Sequence, residues 1–464
     1  MKSHGSNKTV SAVSPLMGEV SAYIAGALAR ALPEAVAEKG KHHVLDTLAT
    51  MVSGSKLLPG KKAIAYVKTL GGPRQACVIG TRLVISAINA ALANGMFAHA
   101  DETDDIHHAA NMHPGASIVP AALAMSERQR HGGKSMLRAV VLGYDIGCRV
   151  TRVLHPEAFR AAGRANQSFG GVFGAAAAAG ALAGLDMRRV RYLLSYAAQL
   201  ASGIRTMERD KEHVLKAFVF GGMTAHNGVA AANMVACGFT GVEDEFTGAR
   251  NRNFFSAFSP DPSPQEMTRG LGVSYEVMNT NIKKWPVGSP VQSALESLFA
   301  LMTEHKISAI DVEKLVVRTP DNEAPIVSNS NMSDVNMQHL LAISLLDGKL
   351  SFDSAHDMAR MKNRKVLDLK RRIELVASAE LTIARPARQC IIEVATRDGR
   401  QLKHHTHAVK GTADNPMTRA EVAEKSVDLM APVLGKRRTR TLIDAVLNLE
   451  KVENMRALRA LLSA

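Results

Sequence analysis

The hydrophobic positions between residues 14 and 240 recur with the spacing of helices. Val20, Ile24 and Leu28 lie on one face of a predicted helix, and similar spacing predicts another over 84–100, directly before a group of acidic residues. No long segment in this part of the chain alternates between apolar and polar residues, as a half-buried strand would. The first part of the chain is therefore predicted to be all-α.

The pattern changes after about residue 271. Short apolar segments predict strands at Tyr275–Val277, Leu315–Val317 and Cys390–Thr396. The Asp398-Gly399 pair predicts a hairpin turn into a further strand over 401–408. This middle part is therefore predicted to be a smaller α+β segment, because helical spacing also occurs between its strands.

Helical spacing returns near the C-terminus and predicts helices over 418–434 and 438–462, which suggests that the tail packs back onto the first part. We therefore predict a mainly α fold with a large all-α helical domain formed by both chain ends and a smaller inserted α+β domain, which would act as a lid. The predicted segments are 14–271 for the first part of the helical domain, 272–408 for the lid and 409–464 for the C-terminal part.

Composition and charge narrow the class of protein. Of the 464 residues, 46% are hydrophobic and 22% are charged, which is ordinary for a soluble globular protein, and the length favours two domains. The formal net charge of +14 makes nucleic-acid binding a candidate, but the basic residues are spread along the chain without a zinc-finger or aromatic-basic motif. We expect no nucleic-acid partner, because a polyanionic small molecule explains the positive charge as well.

Cysteine usage and the N-terminus bear on the compartment. The four cysteines, at positions 77, 148, 237 and 390, are far apart and form no CxxC pair, which argues against a disulfide scaffold, a zinc ribbon and a sequence-local iron–sulfur cluster. Residues 1–20 lack the apolar core of a signal peptide, and the longest run of small apolar residues, 170–185, is too short to span a bilayer. We expect a cytoplasmic protein without a membrane partner.

The richest candidate for chemistry is the stretch from His99 to Pro114, which reads HADETDDIHHAANMHP. It contains four carboxylates and four histidines but no lysine or arginine. Crowded carboxylates repel each other, which raises some of their pKa values, and imidazoles titrate near neutrality, so the stretch is suited to moving protons at pH 7. An acidic surface loop with incidental histidines fits the same pattern.

Metal binding is the other use of these residue types. Asp104 and His108 are four positions apart and could share a helix face, where an oxygen-rich site would suit Mg²⁺ or Mn²⁺. His107 and His108 are adjacent, so they would point to different sides, and no HExxH motif or nearby cysteine supplies further ligands. We therefore predict no metal site.

Two lysines lie in apolar surroundings. Lys216 precedes Phe218 by two positions, so either its stem is packed while its ammonium reaches solvent, or it faces a pocket and binds an anion. Lys283 comes shortly before a helix start at Ser289–Pro290, whose N-terminal amides attract anions. No P-loop, Rossmann or GxSxG motif is present, so the nucleotide-binding and α/β-hydrolase classes are unsupported.

Six segments spread over nearly the whole chain carry a resemblance to a known family. They are Asn94–Ala124, Phe169–Asp186, the turn at Lys216, NIKKWPVGSPVQ at Asn281–Gln292, LLDGKLSF at Leu345–Phe352 and GTADNPMT at Gly411–Thr418. Together they resemble the MmgE/PrpD family, whose members include 2-methylcitrate dehydratase, cis-aconitate decarboxylase and iminodisuccinate epimerase. The resemblance implies a helical domain with an inserted lid, a homodimer, no iron–sulfur cluster or organic cofactor, and small di- or tricarboxylate substrates.

The resemblance also implies roles for individual residues. Glu102 falls where relatives often have an aspartate, and Asp105 belongs to the aspartate pair of the family. His113 matches a histidine that relatives use near the reacting carbons. Lys216 and Lys283 match two lysines that bind substrate carboxylates.

Four further positions bear on specificity. His339 falls where some relatives place a tyrosine. Ala165 and Gln292 replace histidines that are frequent in relatives, and Ile106 replaces a threonine. Exchanging hydrogen-bonding groups inside a site alters specificity strongly, so these differences leave the substrate and the reaction open.

The sequence thus leads to the hypothesis of a cofactor-independent lyase, with dehydration of a 2-methylcitrate-like acid as the first expectation. A decarboxylase, an epimerase or isomerase, and a non-catalytic carboxylate-binding protein are the alternatives. The residues expected to be catalytic are Glu102, Asp105 and His113. The residues expected to bind substrate are Lys216, Lys283, His339, His108 and Gln292.

Overall fold

Helices account for most of the regular structure in residues 13–248 and 252–464, the parts of the chain that the computed structural model describes. The predicted mainly α class is confirmed. The elements up to residue 258 are α1 Pro15–Gly26, α2 Glu34–Gly54, α3 Leu58–Leu70, β1 Ala76–Cys77, β2 Val84–Ile85, α4 Ala87–Ala98, α5 Pro114–Gln129, α6 Gly133–Val153, α7 Pro156–Ala161, α8 Asn166–Leu182, α9 Met187–Leu200, α10 Val214–Ala217, α11 Met223–Ala236 and α12 Phe254–Phe258.

Strands and helices alternate in the middle of the chain, and helices return at its end. The elements are α13 Gln292–His305, β3 Val312–Pro320, α14 Ala324–Val327, α15 Met337–Asp347, α16 Phe352–His356, α17 Arg364–Lys370, β4 Ile373–Ser378, α18 Ala379–Ile383, β5 Cys390–Thr396, β6 Gln401–Thr406, α19 Arg419–Leu434, α20 Lys436–Leu447 and α21 Arg459–Leu462. Of the predicted strands, those at 315–317 and 390–396 are confirmed, and so is the hairpin from β5 to β6.

The first part of the chain was predicted to be all-α, but it also contains two short strands. β1 and β2 form a small antiparallel sheet, so the helix expected over 84–100 begins only at Ala87. The side chain of Ser86 accepts a hydrogen bond from the backbone N–H of Asn89, which starts α4 there and leaves Val84 and Ile85 outside it. A local cap thus decided where the helix begins.

Glycines allow α6 and α8 to approach closely. A Cβ at Gly174 would lie 2.7 Å from the carbonyl oxygen of Gly143, and one at Gly170 would lie 2.7 Å from that of Gly147. No larger side chain fits between the two backbones without a shift. The small residues of the 170–185 run therefore bring helices together.

The middle part contains a four-stranded sheet in the order β4-β3-β5-β6. β3 pairs with β4 in parallel and with β5 in antiparallel fashion. Leu315, Val317, Ile392 and Val394 belong to a buried cluster of apolar side chains that also includes residues of α13 and α15. The sheet therefore has its own hydrophobic core.

Two predicted elements are wrong. The segment at 275–277 is not a strand, because Glu276–Asn279 forms a 3₁₀ turn whose first N–H is bound by the buried carboxylate of Asp145 at 2.6 Å. The single helix expected over 438–462 is instead divided into α20, two 3₁₀ turns and α21. Both differences come from tertiary contacts and turns that helical or strand spacing does not encode.

The two ends of the chain share one hydrophobic core. Val422, Leu429 and Leu462 from the C-terminal helices belong to the same buried cluster as the side chains of α1 to α12. The second cluster draws on residues between Trp285 and Val394. Whether the middle part acts as a lid, and where the domains divide, stay predictions.

Across residues 13–248 and 252–464, none of the helices has both the length and the apolar content that crossing a bilayer requires. Residues 1–12, on which the expectation of a missing signal peptide partly rests, lie outside the described residues.

Candidate active site

A cavity of about 430 Å³ lies between the helical part and the sheet-containing part of the chain. Its lining comes from positions between 102 and 220 on one side and between 283 and 388 on the other. Charged side chains are prominent in the lining: the basic ones are Arg160, Arg164, Arg205, Lys216, Lys283 and Arg388, and the acidic ones are Glu102, Glu208 and Asp210. This surplus of positive charge suits a polyanionic ligand.

The acidic stretch follows α4 and crosses the floor of the cavity without helical structure. Ile106 exchanges two backbone hydrogen bonds with Asn281, at 3.0 and 2.9 Å. This isolated bridge carries Lys283, two residues further on, over the stretch. The ammonium of Lys283 donates to the carbonyl oxygen of Glu102 at 2.5 Å, and its side chain is only 2% exposed. Its charge is therefore available to the cavity and not to bulk water.

Lys216 reaches the same stretch from another direction. A Cβ on Gly95 of α4 would lie 2.4 Å from the carbonyl oxygen of Gly221, so α4 packs directly on the π-helical turn Phe218–Gly222 that follows Lys216. The ammonium of Lys216 makes an ion pair with Glu102 and lies 5.3 Å from the ring centre of Phe220. Lys216 therefore faces the pocket, and its binding of an anion there stays a prediction.

Asp104 is the carboxylate that organises the imidazoles. It accepts hydrogen bonds from Nδ1 of His99 at 2.9 Å and from Nδ1 of His113 at 3.1 Å, and the ammonium of Lys283 lies 3.7 Å from it. With Nδ1 bound to Asp104, the remaining ring nitrogen of His113 is Nε2, and His113 lines the cavity. Gln167 holds the backbone N–H and carbonyl of His113 with its amide, which fixes the position of the ring.

Asp105 does not line the cavity, contrary to prediction. Its carboxylate is fully buried and accepts hydrogen bonds from Nδ1 of His43 at 2.7 Å, from the hydroxyl of Tyr144 at 2.6 Å and from the backbone N–H of Gly115 at 3.0 Å. Asp105 therefore connects the stretch to α2, α5 and α6. The adjacent Asp104 is also buried and is absent from the cavity lining, but it binds His113, which lines the cavity.

The expected rise of pKa values in the stretch is wrong for Glu102, which lines the cavity, and for Asp104, which binds His113. Burial opposes the charged form of Glu102, yet the nearby Lys216 and the histidines around it hold the pKa of Glu102 well below its usual range. Burial likewise opposes ionisation of Asp104, but His113 and His99 hold its pKa well below normal. Both carboxylates are therefore ionised at neutral pH, and neither can serve as a proton donor there.

Three predicted substrate-binding residues lie elsewhere. Gln292 is buried and uses its amide on the backbone of Trp285 and on the carbonyl of Val287, so it holds a turn. His339 is 1% exposed at the start of α15 and lines neither this cavity nor its neighbour. His108 lines a neighbouring cavity of about 570 Å³, and Asn111 lines both cavities.

Sequence reasoning missed several residues beside Glu102 and Lys216. His99 stacks on Phe220 with ring centres 4.5 Å apart, and His213 lies 5.2 Å from His99 in the same cluster. Burial, and then the positive charge of Lys216, lowers the pKa of His213 to about 3, so its ring is neutral. His99 belongs to the stretch already singled out, whereas His213 carried no signal beyond its closeness to Lys216 in the chain.

The positions where the sequence departs from its relatives can also be located. Ala165 and Ile106 both line the cavity, so each contributes an apolar surface there. Gln292 does not. The departures that bear directly on a bound ligand are therefore Ala165, which has no proton to donate, and Ile106.

Two groups of side chains could hold a metal ion by proximity. His99, Glu102 and His213 form one group and His99, Asp104 and His113 the other, with ligand atoms within 4.8 Å of one another. However, Lys216 pairs with Glu102, and Lys283 lies 3.7 Å from Asp104. A divalent cation would meet an ammonium next to either carboxylate, and the repulsion between the two charges disfavours it.

Comparison with known proteins identifies the family. Residues 18–267 match the model of the MmgE/PrpD N-terminal domain, and residues 285–451 match that of the MmgE/PrpD C-terminal domain. This chain belongs to the MmgE/PrpD family. The resemblance inferred from the sequence is confirmed.

Similar proteins extend over nearly the whole chain. A cis-aconitate decarboxylase-like protein, oryM, of Aspergillus oryzae is 26% identical, with 93% of this chain and 94% of the relative covered. The cis-aconitate decarboxylase of Aspergillus terreus is 25% identical over 93% and 92%, and that of Homo sapiens is 24% identical over 93% and 91%. These matches place the chain in a family of carboxylate-acting lyases without deciding its reaction.

Proposed function

We propose that this MmgE/PrpD member is a cofactor-independent lyase that acts on a small di- or tricarboxylate by moving a proton at the carbon next to a carboxylate. The observation that carries the proposal is the pairing of His113 with Asp104 on the wall of a cavity that also contains Lys216 and Lys283. The ring nitrogen Nε2 of His113 makes no hydrogen bond within residues 13–248 and 252–464. It is therefore available for a substrate proton.

The two lysines bind and orient the substrate. Ammonium groups form charge-assisted hydrogen bonds with carboxylates, and these strengthen where water is excluded. Lys216 gives up part of its contact with Glu102 to a substrate carboxylate, while the buried Lys283 keeps its position through the carbonyl of Glu102. Together they stabilise the charge that develops on a carboxylate when the neighbouring carbon loses a proton.

Asp104 fixes the tautomer of the His113 imidazole. Because its ionised carboxylate accepts from Nδ1, the neutral ring carries its proton on Nδ1 and presents a basic Nε2 to the cavity. The same carboxylate stabilises the imidazolium after the proton has moved. Asp104 acts through His113 and is thus a positioning residue.

In a dehydration, Nε2 of His113 removes the α-proton, and the electron pair moves into the adjacent carboxylate to give an enediolate. The electrons then return to form a carbon–carbon double bond as the β-carbon–oxygen bond breaks. The hydroxyl leaves as water with the proton that His113 carried. One imidazole therefore suffices, and Ala165 does not have to supply a second acid.

Decarboxylation is the second candidate, because the relatives compared above are named for it. Here the carbon–carbon bond to one carboxylate breaks, CO₂ leaves, and the electron pair stays on carbon. The imidazolium of His113 then donates its proton to that carbon. The two reactions need opposite protonation states of His113 at the start of the cycle.

The test is incubation with 2-methylcitrate, citrate and cis-aconitate in D₂O, followed by ¹H and ¹³C NMR. Loss of water supports dehydration, and release of CO₂ supports decarboxylation. Deuterium entry without net conversion indicates an epimerase. Binding without any exchange in every acid would leave a carboxylate-binding protein and would overturn the lyase proposal.

The pH dependence of kcat/KM separates the two lyase reactions. A dehydratase that starts from neutral His113 loses activity as the pH falls, whereas a decarboxylase that starts from the imidazolium loses activity as the pH rises. The homodimer that the resemblance implies stays a prediction, which light scattering on the purified chain would test.

A further inference from the structure

Arg388 is a cavity-lining cation to which the proposed function assigns no task. It lies between α18 and β5, in the sheet-containing part, whereas His113 and Lys216 belong to the helical part. Two other arginines of the lining, Arg160 and Arg205, interact with the carboxylate of Glu208.

The contacts of Arg388 leave its guanidinium incompletely paired. Its Nε lies 3.2 Å from a carboxylate oxygen of Glu323. Its Nη1 is buried and has no hydrogen-bond partner among the residues that the structure describes. A guanidinium offers five N–H donors, and a buried donor of a charged group without an acceptor is unfavourable. Among the described residues, Glu323 is therefore the one carboxylate within ion-pair distance of Arg388.

The backbone conformation of Arg388 also indicates a functional role for this residue. Its φ of 65° lies in the left-handed region, which non-glycine residues seldom adopt outside turns and sites that require it. Asn111 and His213, with φ of 49° and 60°, also line the cavity. Three of the seven non-glycine residues with positive φ in the described parts of the chain thus surround one cavity.

We propose that Arg388 binds a third carboxylate of the substrate and makes the site selective for tricarboxylates over dicarboxylates. The inference rests on the proposed function, in which Lys216 and Lys283 hold two other carboxylates. A planar guanidinium fits a carboxylate through two parallel N–H groups, which a lysine cannot do. The incoming carboxylate meets the guanidinium where Arg388 lines the cavity and neutralises a charge that Glu323 contacts through Nε.

Two acids that differ by one carboxylate test this assignment by equilibrium binding. Propane-1,2,3-tricarboxylate and propane-1,3-dicarboxylate are titrated into the full-length protein by calorimetry. We expect the wild-type protein to prefer the tricarboxylate by at least tenfold, on the order of one charge-assisted hydrogen-bond pair. The Arg388→Gln variant should lose about 10- to 100-fold in affinity for the tricarboxylate and little for the dicarboxylate.

Control variants separate binding from folding. Arg385→Gln changes an exposed arginine on the same segment, whose guanidinium contacts only the carbonyls of Ile383 and Ala384, and should keep the preference. Glu323→Gln removes the protein partner of Arg388 but leaves its charge, and should keep or increase the preference. If Arg388→Gln fails to fold, Arg388→Lys replaces it and should lower the preference because it loses the planar fork.

The possible outcomes distinguish failure of the proposed function from failure of the Arg388 assignment alone. If the wild-type protein binds neither acid, the proposed function fails and this inference fails with it. If it binds both acids and Arg388→Gln keeps the wild-type preference, the Arg388 assignment alone is overturned. The same holds if Glu323→Gln abolishes the preference as completely as Arg388→Gln, because the ion pair would then be structural.

Discussion

The two walls of the cavity differ in how completely their charged side chains are paired within the protein. On the helical wall, Asp104 binds two histidines and Lys216 binds Glu102, so each group is already held in place. On the opposite wall, Arg388 keeps a buried N–H without a partner. Groups that move protons must be positioned before the substrate arrives, whereas a group that recognises the substrate can leave a hydrogen bond for it.

A further ionic contact joins the two sides beside the cavity. His356 of α16 lies 2.8 Å from Asp101 in the acidic stretch and 3.8 Å from Asp334, next to cavity-lining Val335. Burial opposes protonation of His356, but its contact with Asp101 and the charge of Asp334 raise its pKa to about 9. This contact links the helical side of the cavity to the sheet-containing side.

The largest effect is expected from the helical wall at His113. His113→Gln removes the group that moves the proton but keeps a polar side chain of similar length. We expect kcat/KM for whichever acid is turned over to fall by about 10²- to 10⁴-fold, the usual contribution of a positioned acid–base group. Steady-state kinetics measure it, and unchanged binding of the acid shows that the site is intact. A loss below threefold would remove His113 from the mechanism.

Substitutions of the adjacent Asp104 and Asp105 are expected to have different effects, one on activity and the other on stability. Asp105→Asn breaks charge-assisted hydrogen bonds from His43 and Tyr144 inside the core, and we expect the free energy of unfolding to fall by about 3 kcal/mol. Asp104→Asn should instead lower kcat far more than it raises KM, because it disturbs the His113 ring. Urea unfolding and kinetics on both variants measure this. Equal losses of activity and of stability in the two variants would contradict the assignment.

The third effect is expected on KM, through the proposed binding of the substrate by Lys216. Lys216→Met keeps the apolar stem but removes the ammonium, so KM should rise by about 10- to 100-fold, as for the loss of a charge-assisted hydrogen bond. Lys284→Met is the matched control, because Lys284 is absent from the lining of the cavity and lies 4.7 Å from the ring of Trp285. Wild-type KM in Lys216→Met would show that the two walls do not share the substrate as described.

The smallest effect is expected at the contact between His356 and Asp101, through the pH dependence of the free energy of unfolding. The pKa of His356 is raised from 6.5 to about 9 in the folded protein, so its contribution to stability is complete below pH 6.5 and is lost as the pH rises through 9. The raised pKa of Asp334, about 6, acts in the same direction at lower pH. We expect the wild-type protein to lose about 2 kcal/mol more stability between pH 7 and 9 than His356→Gln does. Urea unfolding at both pH values measures it, and parallel losses would rule out this role.

Much of the fold was predictable because its causes are local in the chain. Strand β5 and the hairpin after it follow from an apolar segment and an Asp-Gly turn, and α19 begins where Thr418 and Glu421 form a reciprocal cap. The errors occurred where distant residues intervene, as at Glu276, whose backbone N–H is bound by Asp145. Local patterns do not record such partners.

The candidate site was predictable only in part, for the same reason. Glu102, His113, Lys216 and Lys283 were predicted from the residues and the resemblance, and all four line the cavity. The sequence could not distinguish Gln292 and His339 from these four residues, because nothing in the adjacent sequence shows that the two side chains pack away from the cavity. Arg388 was missed because a single arginine on a loop carries no pattern.

The sequence by itself determined the family, the mainly α class and the acidic stretch proposed to carry the chemistry, since these depend on residue types and their order. Only the tertiary structure decided which of two adjacent aspartates, Asp104 or Asp105, binds the cavity-lining His113. Asp104 binds it, whereas Asp105 is held by groups of α2, α5 and α6. Those helices come from other parts of the chain, and their arrangement exists only in the folded protein.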